Sequence, residues 1–220
     1  MDWTPFYLSF KLAFISTLIL FIFCVPLSFL CYRRDFWGKS ALISSISLPL
    51  VLPPSVLGFY LLVLFSPFSP LGEFLEKFFG LRLVFSFWGL VIASFIYSLP
   101  FMFAPLLAGF RSLNASLIEA SFSLGKNELT TLFKVALPNI KPNILNAIII
   151  SFAHTLGEFG VVLMIGGSLD GETKVASIAI YEAVELLDYE KAHIYSALML
   201  AISFILLLGV HFTSKKMKQI

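Results

Sequence analysis

Apolar stretches of about 20 residues recur along the whole chain, and they restrict its fold more than any other feature. A stretch of this length spans the hydrocarbon core of a bilayer as an α-helix. We assign five spans, at residues 9–31, 41–66, 83–107, 143–165 and 192–212. Backbone polar groups inside a bilayer need partners within the protein. We therefore predict an all-α membrane protein with a single transmembrane domain over residues 1–220.

The composition also favours a membrane protein over a soluble one. Hydrophobic residues make up 59% of the chain and charged residues 13%, whereas soluble domains are about 45–50% apolar and about 25% charged. Cys24 and Cys31 are interpreted as packing residues of the first span. The three histidines show no metal-ligand spacing. We expect no catalytic site, no bound metal and no nucleic-acid partner.

Lysine and arginine are distributed unevenly between the two ends of the predicted spans. Ten basic residues flank one end: Arg33, Arg34, Lys39, Arg111, Lys126, Lys134, Lys141, Lys215, Lys216 and Lys218. Five flank the other end: Lys11, Lys77, Arg82, Lys174 and Lys191. Because basic flanks are retained in the cytoplasm, we expect the N-terminus outside and the C-terminus inside.

The one long polar connection, residues 111–142, predicts a first short helix near its start. Asn114 or Ser116 can cap this helix, and Ser116 with Glu119 has the spacing of a capping box. Gly125 is expected to end it in the left-handed conformation. One face is predicted to carry Leu117, Ala120, Ser121 and Leu124.

A second short helix is predicted to follow the glycine. Asn127 can start it, and Pro138 and Pro142 are expected to end it. Its apolar side is predicted to carry Leu129, Leu132, Phe133 and Ala136. The product is a helix–glycine–helix element on the membrane surface. Periodicity alone leaves a simple amphipathic connector as the alternative.

The same segment resembles the cytoplasmic motif of the permeases of ABC importers. That motif reads Glu-Ala-Ala, three residues, Gly, nine residues, then Ile-x-Leu-Pro. This chain has Glu119-Ala120-Ser121, three residues, Gly125, nine residues, then Val135-Ala136-Leu137-Pro138. Ser121 therefore replaces the second alanine, and Val135 replaces the isoleucine.

The resemblance implies the fold of a small ABC importer permease, with a docking loop at residues 111–142 for a separate ATPase. The residues that it assigns to this coupling are Glu119, Ala120, Ser121, Gly125, Val135, Leu137 and Pro138. It implies that this chain is a transport protein without enzyme activity or a bound cofactor, and that ATP and Mg belong to the partner. The chain contains no GxxxxGK[ST] phosphate loop. Two closing ATPases need two docking loops, so we expect a homodimer of this chain with two ATPase subunits.

Two further stretches resemble the permeases of molybdate importers: LPLVLPPSVLGFYLLVLF (48–65) and SFAHTLGEFGVVLMIGG (151–167). Sulfate and tungstate permeases share the LGE[FY]G part, whereas the PLVLPP run and the short chain favour molybdate. The resemblance implies import of molybdate, or tungstate, delivered by an external, periplasmic binding protein across the cytoplasmic (inner) membrane of a prokaryote. A sulfate or other oxyanion permease is the alternative.

The second stretch places ionisable residues inside an apolar span, where they are costly. His154 would lie roughly 16 Å into a helix that starts near Asn143. Glu158 would share its helix face one turn further on. The pathway or gate is predicted to include Ser151, His154, Gly157, Glu158 and Gly160. A packing and hydrogen-bond cluster is the alternative.

A carboxylate repels an oxyanion, so Glu158 is not predicted to be an anion ligand; pairing with a donor on another helix, or holding a gate, is favoured. The acidic segment that follows predicts a helix over Ala176–Leu187 with Ile178, Tyr181 and Val184 inward. This helix would contact the binding protein or present a solvated face.

Two other classes of protein are less consistent with the sequence. A secondary transporter or channel would show internal repeats or intramembrane ion ligands, and no repeat of 20–50 residues is visible. An integral membrane enzyme would need His, Asp or Glu clustered at one membrane face.

Overall fold

The computed structural model describes residues 2–217, and the side chains of residues 2–209. All regular structure in this part of the chain is helical. The helices are α1 (Thr4–Arg33), α2 (Lys39–Ser47), α3 (Pro54–Phe65), α4 (Pro70–Phe79), α5 (Phe87–Arg111), α6 (Ala115–Ser123), α7 (Glu128–Thr131), α8 (Leu137–Asn139), α9 (Lys141–Leu156), α10 (Gly160–Gly166), α11 (Ala176–Glu185) and α12 (Tyr189–Met217). A 3₁₀ turn, Leu48–Leu50, follows α2, and a π-helical turn, Leu132–Ala136, joins α7 to α8.

Three helices, α1, α5 and α12, are long and apolar enough to cross a membrane by themselves. They correspond to the first, third and fifth predicted spans. Two bent pairs bring the number of spans to as many as five, if each pair counts as one. Lys218, one of the basic residues behind the predicted orientation, lies outside the described residues.

The second predicted span, residues 41–66, is broken rather than continuous. Its two halves, Lys39–Leu50 and Pro54–Phe65, meet at an angle of 110°. Pro53 and Pro54 cause the break, because proline lacks an N–H donor and disfavours helix in the residue before it. Pro100 and Pro105 do not have this effect, since α5 remains helical through both while packing against α1 and α9.

The fourth predicted span, residues 143–165, is broken as well. Helix α9 ends at Leu156, and α10 begins at Gly160. The three residues between them, which we call the span-four break, are Gly157, Glu158 and Phe159. The prediction that His154 and Glu158 share one helix face is therefore wrong, because Glu158 follows the end of the helix. Gly157 weakens the helix at this point.

The loop at residues 111–142 forms the predicted helix–glycine–helix element, α6 to α8 with the π-helical turn, which we call the coupling element. The second helical run continues through Pro138 to Asn139 and ends at Ile140, so the prediction that Pro138 stops it is wrong. A π-helical turn directly before the proline changes the hydrogen-bond register that the ring would otherwise block.

Two buried clusters divide the bundle along its length. One includes Phe103, Phe110, Ile118 and Ile140 and joins the spans to the coupling element. The other includes Leu12, Leu90 and Val161 and lies toward the opposite end, which we call the far end. Helices α3 and α10 cross closely in this far half, because a Cβ at Gly58 would lie only 2.8 Å from Met164 Cβ.

Candidate functional site

The turn of the coupling element depends on Gly125. This residue has φ +72°, a conformation that side chains with a Cβ rarely adopt, as the sequence predicted. Asn114 caps α6 by accepting from the Ser116 N–H, and Asn127 caps α7 by accepting from the Thr130 N–H. Since Asn114 holds the cap position, Ser116 lies inside the helix and the predicted Ser116–Glu119 capping box does not form.

Ser121 has an internal role in the coupling element. It is 6% exposed, and its hydroxyl lies 2.8 Å from Thr131 Oγ1. This hydrogen bond joins α6 to α7 across the glycine turn. The hydroxyl that replaces the motif's alanine therefore helps to set the angle between the two helices.

The exposed face of α6 is apolar. Leu117 is 42% exposed and Leu124 is 76% exposed, and Ala120 between them is also exposed. Ile118 and Ser121 point inward instead, so the predicted face is correct except for Ser121. In the second helical run, Leu132 and Ala136 are buried but Leu129 and Phe133 are exposed, which corrects the prediction of one shared apolar side.

The remaining residues of the predicted docking motif differ in their surroundings. Glu119 and Pro138 are exposed, and Val135 and Leu137 are partly buried. The Val135 carbonyl accepts a hydrogen bond of 2.7 Å from the Asn139 side-chain amide. This bond adds a side-chain contact to the last turn of the second helical run.

The coupling element is attached to the end of α1 by two contacts. Arg34 Nη2 donates to Glu128 Oε1 at 2.8 Å, and the Arg33 guanidinium lies 4.4 Å from the Phe122 ring centroid. Both pairs connect residues far apart in sequence. A displacement of the coupling element therefore acts directly on a helix that runs the length of the bundle.

A second feature, an open cavity of about 580 Å³, lies at the span-four break. It is lined by Pro54, Ser55, Tyr97, Ala153, His154, Gly157, Glu158, Phe159 and Gly160. Four of the five residues predicted for the pathway are thus brought together, and they face the start of α3. A Cβ on Gly160 would lie 2.8 Å from Pro54 Cβ, so α10 and α3 begin almost in contact.

His154 is fixed beside the cavity by neighbours on α5. Its Nδ1 lies 2.9 Å from Ser98 Oγ, which lies 2.9 Å from Thr155 Oγ1. Its ring stacks on Phe101 with the centroids 3.8 Å apart. Hydrogen bonding through Nδ1 orients the ring, and the polar groups at this point of the bundle are linked to one another.

Glu158 is buried without a partner. It is 5% exposed, and neither carboxyl oxygen has a hydrogen-bond partner among the described residues. The Ser94 hydroxyl is a neighbour of the carboxyl, but the two groups do not form a hydrogen bond of acceptable geometry. The expectation of a paired Glu158 is therefore not met, since the described residues supply no donor.

Ser151, the fifth residue predicted for the pathway, is also buried, but it is not among the residues that line the cavity. Its hydroxyl finds no hydrogen-bond partner in the part of the chain described. The break after Leu156 and the contact of α9 with α5 decide which polar side chains reach the cavity. Helical spacing alone does not distinguish Ser151 from His154.

Helix α11 covers the span-four break from the far end. The Ser177 hydroxyl donates to the Glu158 carbonyl at 2.6 Å, and the Ala176 N–H donates to Ser9 Oγ on α1 at 2.8 Å. Tyr181 lies against Phe159 with ring centroids 5.0 Å apart. Ile178 points inward as predicted, but Tyr181 and Val184 are 40% and 44% exposed, because alanines form the inner face of α11.

A lysine ties the segment before α11 to that helix. Lys174 pairs with Glu182 and, at 3.1 Å, with Asp170. Partial burial lowers the pKa of Lys174, but the hydrogen bonds to these two carboxylates outweigh burial and raise the pKa above its usual value. The lysine therefore stays charged, and the pairs hold α11 over the break.

Together, the broken spans around a cavity with a few polar side chains and the helix–glycine–helix element at one end define a subunit of a membrane transporter. A family model described as "Binding-protein-dependent transport system inner membrane component" matches residues 24–218. The chain therefore belongs to this family of transport permeases, and the family predicted from the docking motif is confirmed.

Curated relatives include molybdenum and sulfate transport system permease proteins. A molybdenum transport system permease protein, ModB of Azotobacter vinelandii, is 40% identical over 212 residues, which cover 96% of this chain and 93% of that protein. A probable sulfate transport system permease protein, cysT of Chlorella vulgaris, is 34% identical over 208 residues, covering 94% of this chain and 78% of that protein.

Solved structures of ABC transporters share the fold. The MetNI methionine ABC transporter, in inward-facing conformations, aligns with a TM-score of 0.71 at 16% identity and covers 96% of this chain and 94% of that chain. A bacterial alginate ABC transporter in complex with a periplasmic protein aligns with a TM-score of 0.78 at 18% identity, covering 97% and 78%. The predicted fold class is confirmed.

Sequence reasoning missed the residues that other helices bring to the cavity lining or to the residues beside it. Ser55, Tyr97 and Ser98 come from α3 and α5, and Ser177 comes from α11. Serine and tyrosine are common in membrane helices, so no spacing in the sequence distinguishes these residues. Ser55 alone carried a signal, because it follows the proline pair that breaks the second span.

We predict that Ser98→Ala destabilises the protein by about 1–3 kcal/mol, because it leaves the buried Thr155 hydroxyl and the partly buried His154 Nδ1 without this partner. The matched control is Ser16→Ala. Ser16 is also fully buried, but its hydroxyl has no hydrogen-bond partner within the described chain. Thermal unfolding in detergent should show a lower midpoint for Ser98→Ala only. Equal midpoints would show that the polar cluster adds no stability.

Proposed function

We propose that this chain is the permease subunit of an ATP-driven importer of molybdate or tungstate, which an external binding protein supplies. The observation that carries the proposal is the coupling element, with its left-handed Gly125 and the exposed apolar face of α6. The chain that contains it belongs to the transport family and is similar to a molybdenum permease over nearly its whole length. Sulfate import is the second candidate, favoured by the similarity to a sulfate permease.

The coupling element is proposed to dock on a separate ATPase, which binds the ATP and Mg. The apolar stripe of Leu117, Ala120 and Leu124 faces away from this chain's own core. Exposed apolar surface of this kind suits a protein interface. The small side chain of Ala120 allows a close approach between the two proteins. The ion pair at Glu128 then passes the motion to α1.

The working unit is proposed to contain two copies of this chain and two ATPase subunits. Each chain supplies one coupling element, and two-fold symmetry is the commonest way to close a homo-oligomer. The coupling element is proposed to lie in the cytoplasm, because the basic residues concentrate at its end of the bundle. The chain would then reside in the cytoplasmic membrane of a prokaryote, with its N-terminus outside.

The cavity at the span-four break is proposed to lie on the oxyanion pathway. Its lining offers neutral hydrogen-bond donors on Ser55, Tyr97 and His154, and neither lysine nor arginine is among the residues that line it. An oxyanion would be held weakly there and would leave easily, which transport requires. Selectivity would then reside in the binding protein. The hydrogen bond from the Ser177 hydroxyl to the Glu158 carbonyl connects α11 to the break. A binding protein docked on α11 is proposed to change the conformation of the break through this bond.

The proposal is tested by co-expressing this chain with its ATPase and purifying the complex in detergent. The intact mass should correspond to two permeases with two ATPases. After reconstitution, binding protein loaded with molybdate should stimulate ATP hydrolysis more strongly than binding protein offered sulfate. Stimulation by sulfate alone would favour the second candidate, and absence of an ATPase from the purified complex would contradict both.

We predict that Leu124→Asp removes the ATPase from the purified complex, because it places a charge in the apolar stripe without disturbing this chain's core. The matched control is Leu186→Asp, since Leu186 is 73% exposed but follows α11 at the far end. The amount of ATPase that co-purifies is compared for the two variants. Normal co-purification with Leu124→Asp would show that the stripe is not the docking surface.

We predict that Glu158→Gln leaves folding and ATPase binding intact but reduces several-fold the stimulation of ATP hydrolysis by loaded binding protein. An unpaired buried carboxyl is costly in this conformation, so it favours any other conformation that offers a donor or water. Glutamine, of nearly the same size but without a charge, reduces that difference between the states.

The control for Glu158→Gln is Glu172→Gln, an exposed acid near the same end, which should behave like the unaltered protein. The pathway interpretation fails if Glu158→Gln is stimulated normally. It also fails if the only defect is a lower thermal unfolding midpoint, because a packing role alone accounts for that result.

A further inference from the structure

Helix α4, between the second and third spans, has a strongly amphipathic sequence, PLGEFLEKFF. Leu71, Phe74, Leu75, Phe78 and Phe79 follow the spacing i, i+3, i+4, i+7 and i+8, which places them on one face. Glu73, Glu76 and Lys77 occupy the other face.

The helix is well defined by its own caps. The Ser69 side chain accepts from the Gly72 N–H at 2.9 Å at the N-terminus. The Gly80 N–H donates to the Glu76 carbonyl and the Leu81 N–H donates to the Leu75 carbonyl at the C-terminus. These bonds satisfy backbone groups that a helix leaves free at its ends. The amphipathic pattern is therefore realised as a helix.

The described part of the chain leaves the apolar face of α4 uncovered. Phe74, Phe78 and Phe79 are 48%, 73% and 63% exposed. Phe68, just before the helix, is 98% exposed, and Trp88, at the start of α5, is 56% exposed. A row of exposed aromatic side chains of this size needs an apolar or interfacial environment.

The position of α4 identifies that environment. It connects the end of α3 to the start of α5, two membrane segments, and the Phe85 N–H beside it donates to the Ile165 carbonyl at the far end. The helix therefore lies where the spans leave the hydrocarbon core. Aromatic residues concentrate at this depth in membrane proteins, and the apolar face continues the lipid-facing surface of the spans.

The polar face of α4 is electrically balanced. Lys77 pairs with Glu73, and Arg82 Nη2 lies 2.9 Å from Glu76 Oε1. Two acids and two bases leave no net charge to attract anionic headgroups. This balance favours insertion driven by the apolar face rather than by the charge of the lipid.

We propose that α4 is an interfacial anchor that lies in the membrane leaflet opposite the coupling element, with Leu71, Phe74, Phe78 and Phe79 among the lipid acyl chains. Because only Ser66–Ser69 separate α4 from α3, this anchor holds the far end of α3 at the membrane surface. The other end of α3 borders the cavity at Pro54 and Ser55. The inference does not depend on which anion is transported.

Spin labels on single cysteines test the anchor in the full-length chain, reconstituted with its co-purifying subunits in phosphatidylcholine nanodiscs. Phe74→Cys and Phe78→Cys report the apolar face, and Glu73→Cys and Lys77→Cys are matched controls on the same helix. Cys24 and Cys31 are fully buried, and they are replaced by alanine to remove background labelling. Collisions with oxygen, which dissolves in lipid, are compared with collisions with a water-soluble nickel chelate.

Labels at 74 and 78 should show a several-fold higher ratio of oxygen to nickel collisions than labels at 73 and 77. The ratios should stay the same when phosphatidylglycerol replaces part of the lipid. Low collision rates with both reagents at 74 and 78 would mean that a second permease copy or another protein covers the face. High nickel collision rates at all four positions would mean that the helix lies in water. Either of these results overturns the proposal.

Discussion

The requirement that backbone polar groups find partners inside a bilayer governs this structure. Continuous helices satisfy it in α1, α5 and α12, but the span-four break exposes backbone between Leu156 and Gly160. Irregular backbone is tolerated at membrane depth only where protein or a cavity surrounds it. Here the Ser177 hydroxyl binds the Glu158 carbonyl and a cavity borders the break. The break, the cavity and the covering helix α11 therefore form one unit.

Helix α1 connects the two functional regions of the chain. At one end its arginines contact Glu128 and Phe122 of the coupling element, and at the other Ser9 caps the N-terminus of α11. It also packs along α5 and α9, which carry Ser98 and His154. These contacts link the coupling element to the helices that border the cavity.

The cavity combines two properties that oppose each other electrostatically. Ser55, Tyr97 and His154 are neutral groups that can donate hydrogen bonds to an oxyanion. The carboxyl of Glu158 beside them is buried without a partner, which is unfavourable because it has lost its hydration. A site of this composition cannot hold an anion tightly. On the proposed function, this weak binding suits a permease whose external partner captures the substrate and whose energy comes from another subunit.

The sequence by itself determined the membrane class, three of the spans, the glycine turn and the docking motif, because hydropathy and the left-handed preference of Gly125 are local properties. It also placed His154, Gly157, Glu158 and Gly160 near one another, since they are close in the chain. Only the tertiary structure decided that the fourth span breaks after Leu156, that Ser151 lies away from the cavity, and that Ser121 binds Thr131. It also decided which residues of α3 and α5 complete the cavity, and that α11 covers the break. These outcomes depend on packing between helices distant in sequence, and a polar side chain in an apolar span does not indicate which neighbour it will meet.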